Sequence, residues 1–119
     1  MSQRFDPLEF LTVAGALAAQ SGEAEIRTAV GRVYYALFLL ARERLGGAPS
    51  GSVHQQVIGS LRARSGYRIV ADELDRLRRL RVVADYEMMP PRPADRNWRA
   101  NWLSAQALAA RILPRLQAL

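Results

Sequence analysis

Between Ile26 and Leu45 the chain reads IRTAVGRVYYALFLLARERL, and from Val33 to Ala41 it carries no charged residue. A helix that is apolar on every side along its middle cannot lie on a surface, so other helices must enclose it. Its ends are marked. Glu23 and Glu25 suit the positive end of a helix dipole, and Gly46-Gly47 stops the run. Ile26, Val30, Val33, Leu37, Leu40 and Ala41 form the main apolar face. Beside it Arg27, Gly31, Tyr34, Phe38 and Arg42 recur at helical spacing and make a second, mixed stripe.

The flanking segments supply the enclosing helices. Asp6-Pro7-Leu8-Glu9 combines an N-cap, a proline at the first helical position and a capping-box glutamate, which predicts a helix over Pro7 to Gln20. Phe10, Leu11, Ala14, Leu17 and Ala18 would face inward, and Ser21-Gly22 would break the helix. After the central helix comes a turn-rich loop, Gly46 to Ser52, the best candidate for a mobile segment. Ser52-Val53-His54-Gln55 then reads as another capping box, opening a short helix with Val57, Ile58 and Leu61 inward and His54 in its first turn.

A fourth helix is predicted from Ile69 to Met88, with Val70, Leu74, Leu77, Leu80, Ala84 and Met88 on one face, ended by Pro90-Pro91-Arg92-Pro93. The last runs from Ala94 to the C-terminus through Trp98, Trp102, Ala105, Leu108, Ala109 and Ile112, with Pro114 bending or loosening its final turns. No stretch alternates as a strand does. The expected fold is all-α: a single-domain, up-and-down bundle of about five helices, four long and one short.

Composition removes whole classes of chemistry. There is no cysteine and a single histidine, so neither a disulfide framework nor a thiolate or histidine-rich metal site is available. No cofactor is expected, since no phosphate-cradling glycine loop, carboxylate metal signature or Ser-His-Asp set can be picked out. The central apolar run falls short of the roughly 20 residues of a membrane span. The N-terminal residues do not follow a secretory-signal pattern, so a cytoplasmic protein without membrane attachment is expected. The net charge is +6 and all 17 basic residues are arginine, which suits an anionic partner such as RNA or an acidic protein.

Three groups of residues invite a functional reading. Arg81 projects about 40° from the centre of the apolar face of its helix, with Asp85 one turn later. It is either half of a helix-stabilising ion pair or a phosphate ligand in a cleft. Tyr34 and Tyr35 either fill the core or line the same cleft as Arg27 and Arg81. His54 is the one side chain with an ordinary pKa near neutrality. Trp98 and Trp102, four apart, either stack on bases or, as that spacing more often means, pack onto a neighbouring helix, and Arg76 to Arg81 has the spacing of a basic face with its leucines turned inward.

Three segments carry a resemblance: Arg27-Thr-Ala-Val-Gly-Arg32-Val-Tyr34-Tyr35-Ala36-Leu-Phe38 followed by Ala41-Arg42; Ser52-Val53-His54; and Leu80-Arg81-Val-Val-Ala84-Asp85-Tyr86. In order and spacing they are similar to the HEPN superfamily, and within it to small stand-alone proteins encoded beside minimal nucleotidyltransferases. The resemblance implies a dimerising helical bundle with a cleft between arginine-bearing helix ends. It further implies a toxin–antitoxin-like pairing with a small nucleotidyltransferase, and RNA or nucleotide binding by Arg27, Arg32, Tyr34, Tyr35, Asp85 and Tyr86 around Arg81.

Many members of that family are metal-independent ribonucleases that use an arginine followed, after a short gap, by a histidine. Counting on from Arg81, the positions for that histidine are Tyr86, Glu87 and Met88. A phenol with a pKa near 10 is a poor base at neutral pH. The expectation is therefore either a cleft that binds without cutting or a ribonuclease in which His54 takes the vacant role beside Arg81. A purely structural interaction module is the third possibility.

Overall fold

The computed structural model describes residues 4–46 and 53–119, so most of the Gly46 to Ser52 loop, and the capping role expected of Ser52, lie outside the described residues. Five α-helices form an all-α bundle: α1 Glu9–Ala18, α2 Glu23–Arg44, α3 Val53–Ala63, α4 Arg68–Tyr86 and α5 Trp98–Gln117. No strand occurs among the described residues, and none of the helices is long and apolar enough to cross a membrane.

Helix α2 is the hub, packed against α1, α4 and α5, while α3 leans chiefly on α4. Both of its predicted stripes are interior. Ile26, Val30, Val33, Leu37, Leu40 and Ala41 are buried, and so are Gly31, Tyr34 and Phe38 beside them. Contacts between helix ends fix the directions. Arg4 pairs with Glu43 and Arg32 lies over Phe10, so α1 runs antiparallel to α2. Arg27, near the start of α2, meets both the end of α4 and Trp98 at the start of α5, so α4 is antiparallel and α5 parallel to α2.

Several helix ends depart from expectation, and α1 ends at Ala18 rather than Gln20, where the amides of Gln20 and Ser21 reach only three residues back. Helix α1 begins at Glu9 rather than Pro7, because Pro7 and Leu8 sit in a tight turn whose amide bonds reach only three residues back. Asp6 still accepts the Leu8 amide at 3.0 Å, as an N-cap side chain does. Helix α4 stops at Tyr86, because Glu87 turns extended, and Met88 leaves the predicted apolar face and stands 95% exposed. Helix α5 begins at Trp98 rather than Ala94. Residues Pro93–Arg96 instead form a separate 3-10 turn, and Asn97 caps α5 by accepting the Ala100 amide at 3.0 Å.

Pro114 does not end α5, which continues to Gln117. The carbonyls of this last stretch find partners elsewhere: Tyr67 donates to Arg115 O at 2.9 Å, and Arg44 to Gln117 O at 3.1 Å and Leu119 O at 3.2 Å. Buried Ile112 and Leu116 anchor the same turns. Ser21, after α1, adopts a left-handed φ of 67°, which accomplishes the break expected there.

Candidate functional site

The site is assembled where α4 crosses α2 at Gly31. A methyl group added at Gly31 would stand 3.5 Å from Asp85 Oδ1 and 3.8 Å from Arg81 Cγ, in ordinary van der Waals contact, so the Arg81–Asp85 turn of α4 packs directly over this point of α2. Arg81 projects into that junction. Its Nη1 donates to Asp85 Oδ2 at 3.2 Å, and its guanidinium carbon lies 5.5 Å and 5.3 Å from the ring centres of Tyr34 and Tyr35. These are cation–π distances. Arg32 also approaches the Tyr35 ring, at 5.0 Å, so two guanidiniums meet that ring.

Arg81 is only 8% exposed, yet its Nε has no hydrogen-bond partner. It is the one buried side-chain polar atom in that condition among the described residues. Burial pulls the guanidinium pKa down, but the Asp85 hydrogen bond and the neighbouring tyrosine and Asp85 charges more than offset this, so it is held above its ordinary value and stays charged.

His54 joins from α3. Its Nδ1 is 2.6 Å from the Tyr34 hydroxyl, and its ring stacks on Phe38 with centres 4.4 Å apart. Burial, followed by the positive charges of Arg81 and Arg78, holds its pKa below the usual 6.5, so the imidazole is neutral at pH 7. Burial also pushes the Tyr34 phenol well above its ordinary 10, so the phenol keeps its proton.

These facts select a tautomer. Tyr34 is fully buried and its hydroxyl has only His54 as a partner among the described residues. If Nδ1 carried the proton, the Tyr34 O–H would be an unsatisfied buried donor, at a cost of about 1–3 kcal/mol. Tyr34 therefore donates to Nδ1, and the proton of the neutral ring sits on Nε2. The pair presents an N–H donor rather than a free basic nitrogen.

His54 is the only histidine in the chain, which makes its titration directly observable. Nitrogen-15 NMR is expected to find Nδ1 unprotonated, Nε2 protonated and a pKa below 6.5. The unfolded imidazole takes up its proton near pH 6.5, the folded one only at lower pH, so unfolding takes up a proton between the two values. The stabilisation linked to His54 is complete above about pH 6.5 and lost as pH falls through the folded value. Melting temperature should thus drop between pH 7 and 5, by less in His54→Asn than in the parent.

The sequence candidates divide into two groups. Arg81, Asp85, Tyr34, Tyr35 and His54 converge, with Arg32 behind Tyr35. Arg27 goes elsewhere: its Nη1 donates to Ala84 O at 3.2 Å and Glu87 O at 2.7 Å, Nη2 reaches Met88 O at 3.5 Å, Nε pairs with Glu23, and the guanidinium covers Trp98 at 4.3 Å. Its donors are used on the end of α4. Tyr86 stands 72% exposed, with no hydrogen bond or ring contact among the described residues.

Sequence reasoning puts Phe38 in the mixed stripe with Tyr34 and Arg78 on a basic face but names neither as a site residue, whereas Phe38 forms the stacking floor of His54 and the charge of Arg78 acts on it. Both had a signal, since Phe38 lies one turn after Tyr34 and Arg78 one turn before Arg81. Among the described residues no group of three or more histidine, cysteine, aspartate or glutamate side chains could hold a metal ion. A groove of about 550 Å³ lies apart from this centre, between Phe5 and Pro7 and the end of α2, and takes in none of its residues.

No family model, curated protein or solved structure matches the chain. What the centre does must therefore be argued from its own chemistry.

Proposed function

We propose that this protein binds a phosphate-bearing ligand, an RNA strand or a nucleotide, at Arg81. In this reading it is the HEPN-type member of a toxin–antitoxin-like pair, a cytoplasmic homodimer acting with a small nucleotidyltransferase. One observation carries the phosphate assignment: Arg81 is buried against Tyr34 and Tyr35 with its guanidinium only partly satisfied. A guanidinium kept solely for stability is normally fully paired, because burying an unpaired donor costs free energy. The unpartnered Nε is itself enclosed, so acceptor oxygens would meet Nη2, which makes no hydrogen bond among the described residues, near a neutral imidazole that offers an N–H. The nucleotidyltransferase partner and the dimer rest on the resemblance of the Arg27 to Phe38, His54 and Arg81 to Tyr86 segments alone.

The ribonuclease reading has one observation in its favour, the placement of His54 within the field of Arg81. For His54 to abstract a ribose 2′-hydroxyl proton, it needs a free basic nitrogen. The unprotonated Nδ1 is already engaged by Tyr34, so binding without cleavage is the reading preferred.

Equilibrium binding of a short single-stranded RNA and of ATP, measured over a salt series beside Arg81→Met, tests the proposal. Affinity should fall with salt, and the variant should lose about tenfold or more. Its stability should stay within about 1 kcal/mol of the parent or rise, because a methionine fills the space without an unpaired charge and half-exposed Asp85 can be solvated. Unchanged binding would remove Arg81 from the site. Unchanged binding together with a large loss of stability would make the Arg81–Asp85 pair a structural element. RNA cleavage in chelator, abolished by both His54→Asn and Arg81→Met, would put the ribonuclease in place of the binding protein.

A further inference from the structure

A second site lies on the opposite side of α4. At about 100° per residue, Arg76 and Arg79 project roughly 140° and 160° away from Arg81. They form one wall of a groove of about 440 Å³ between α4 and α5, and Arg92 lines it from the connection between those helices. Leu80 and Val83 of α4 contribute apolar lining over buried Leu108, and Asp95, Asn101 and Ser104 add polar groups. Leu80 and Val83 are only partly buried, so the bundle leaves aliphatic surface uncovered there.

The arginines are available to a partner. Arg76 makes no ion pair among the described residues. Arg79 meets Asp75 at 3.3 Å and Arg92 meets Asp95 at 3.9 Å, both with largely exposed guanidiniums. Exposed pairs of this kind are weak and exchange readily. Three arginines against the single carboxylate of Asp95 call for an acidic occupant. The lining decides its class: bases bind through aromatic platforms, and no aromatic side chain lines this groove, whereas aliphatic residues between two helices suit the apolar stripe of a third.

We infer that the α4–α5 groove docks an acidic amphipathic helix of a protein partner, its aliphatic stripe on Leu80 and Val83 and its carboxylates against Arg76, Arg79 and Arg92. The site is independent of phosphate binding at Arg81.

The probe is a fluorescent, helix-stabilised peptide of about four turns, with leucines at helical spacing and glutamates flanking them. It is titrated into the full chain by anisotropy beside a scrambled peptide of equal composition. Saturable binding of the patterned peptide only is expected. Arg76→Glu/Arg79→Glu, whose side chains are exposed, should retain its circular dichroism and weaken binding about tenfold or more. A matching peptide with lysines for glutamates should then bind the charge-reversed protein better than the parent. Failure of the patterned peptide to bind, equal binding of the scrambled peptide, or indifference to the double reversal would overturn the proposal. So would a single-stranded RNA that displaces the peptide and binds more tightly through the same two arginines, which would assign the groove to nucleic acid. Arg81→Met should leave peptide affinity unchanged; a loss there in a folded protein would mean the two sites are one.

Discussion

Replacing Tyr34 with alanine is expected to destabilise the bundle by about 3–5 kcal/mol, enough to unfold much of the population of a marginally stable domain. The ring is fully buried, stacks with Phe38 at 5.7 Å, meets the Tyr35 ring edge-on at 5.6 Å and lies under Arg81. Truncation would leave a cavity between three helices and strip Arg81 of one aromatic wall. Tyr34→Phe separates packing from polarity. It keeps the ring and removes only the hydroxyl, so urea denaturation should find a loss nearer 1 kcal/mol. The same change frees His54 Nδ1, and nitrogen-15 NMR should then show both neutral tautomers where the parent shows one. A single tautomer in both proteins would mean that something other than Tyr34 orients the imidazole.

The second large effect is expected at Arg27. An α-helix leaves its last carbonyls without amide partners, and α4 ends among prolines that cannot donate. Arg27 reaches across from α2 and supplies donors to Ala84, Glu87 and Met88 while its plane lies on Trp98. Charged donors to helix C-terminal carbonyls, largely out of water, are worth more than surface hydrogen bonds. Arg27→Ala should cost about 2–3 kcal/mol. Arg27→Lys should recover only part of this, since an ammonium cannot spread donors over several carbonyls. Hydrogen exchange should localise the loss to the last turn of α4, with the Glu87 amide, bonded to Val83 O, among the first to lose protection. Uniform loss of protection throughout the bundle would instead make Arg27 a general core contact. RNA affinity should change little in the folded variant, because Arg27 contacts none of the residues around Arg81.

Much of this arrangement was readable beforehand where the signal was periodic. The five helices, the inward faces of α1, α2 and α5, and the position of Arg81 inside an apolar face all follow from residue spacing of about 3.6. Helix ends were less readable because they depend on single capping groups. The cap at Asp6 is legible in the sequence, but the tight turn at Pro7-Leu8 delays the α-helix, and periodicity puts Met88 on the core face of α4 although that helix ends two residues earlier. Pro114 does not interrupt α5, whose last turns are anchored by buried Ile112 and Leu116.

The centre itself divides the same way. Sequence alone determined that Arg81 would be drawn into the interior with Asp85 one turn away, and that α2 would carry Tyr34, Tyr35 and Arg32 within a buried helix. Spacing along one helix dictates which side chains share a face, and burial follows from the apolar residues around them. Only the tertiary structure decided that His54 meets Tyr34 rather than solvent, that Arg27 serves the end of α4 instead of the centre, and that Arg76 and Arg79 line a groove with α5. Those outcomes depend on how helices distant in sequence approach one another, and that geometry is set by packing over the whole bundle rather than by any local pattern.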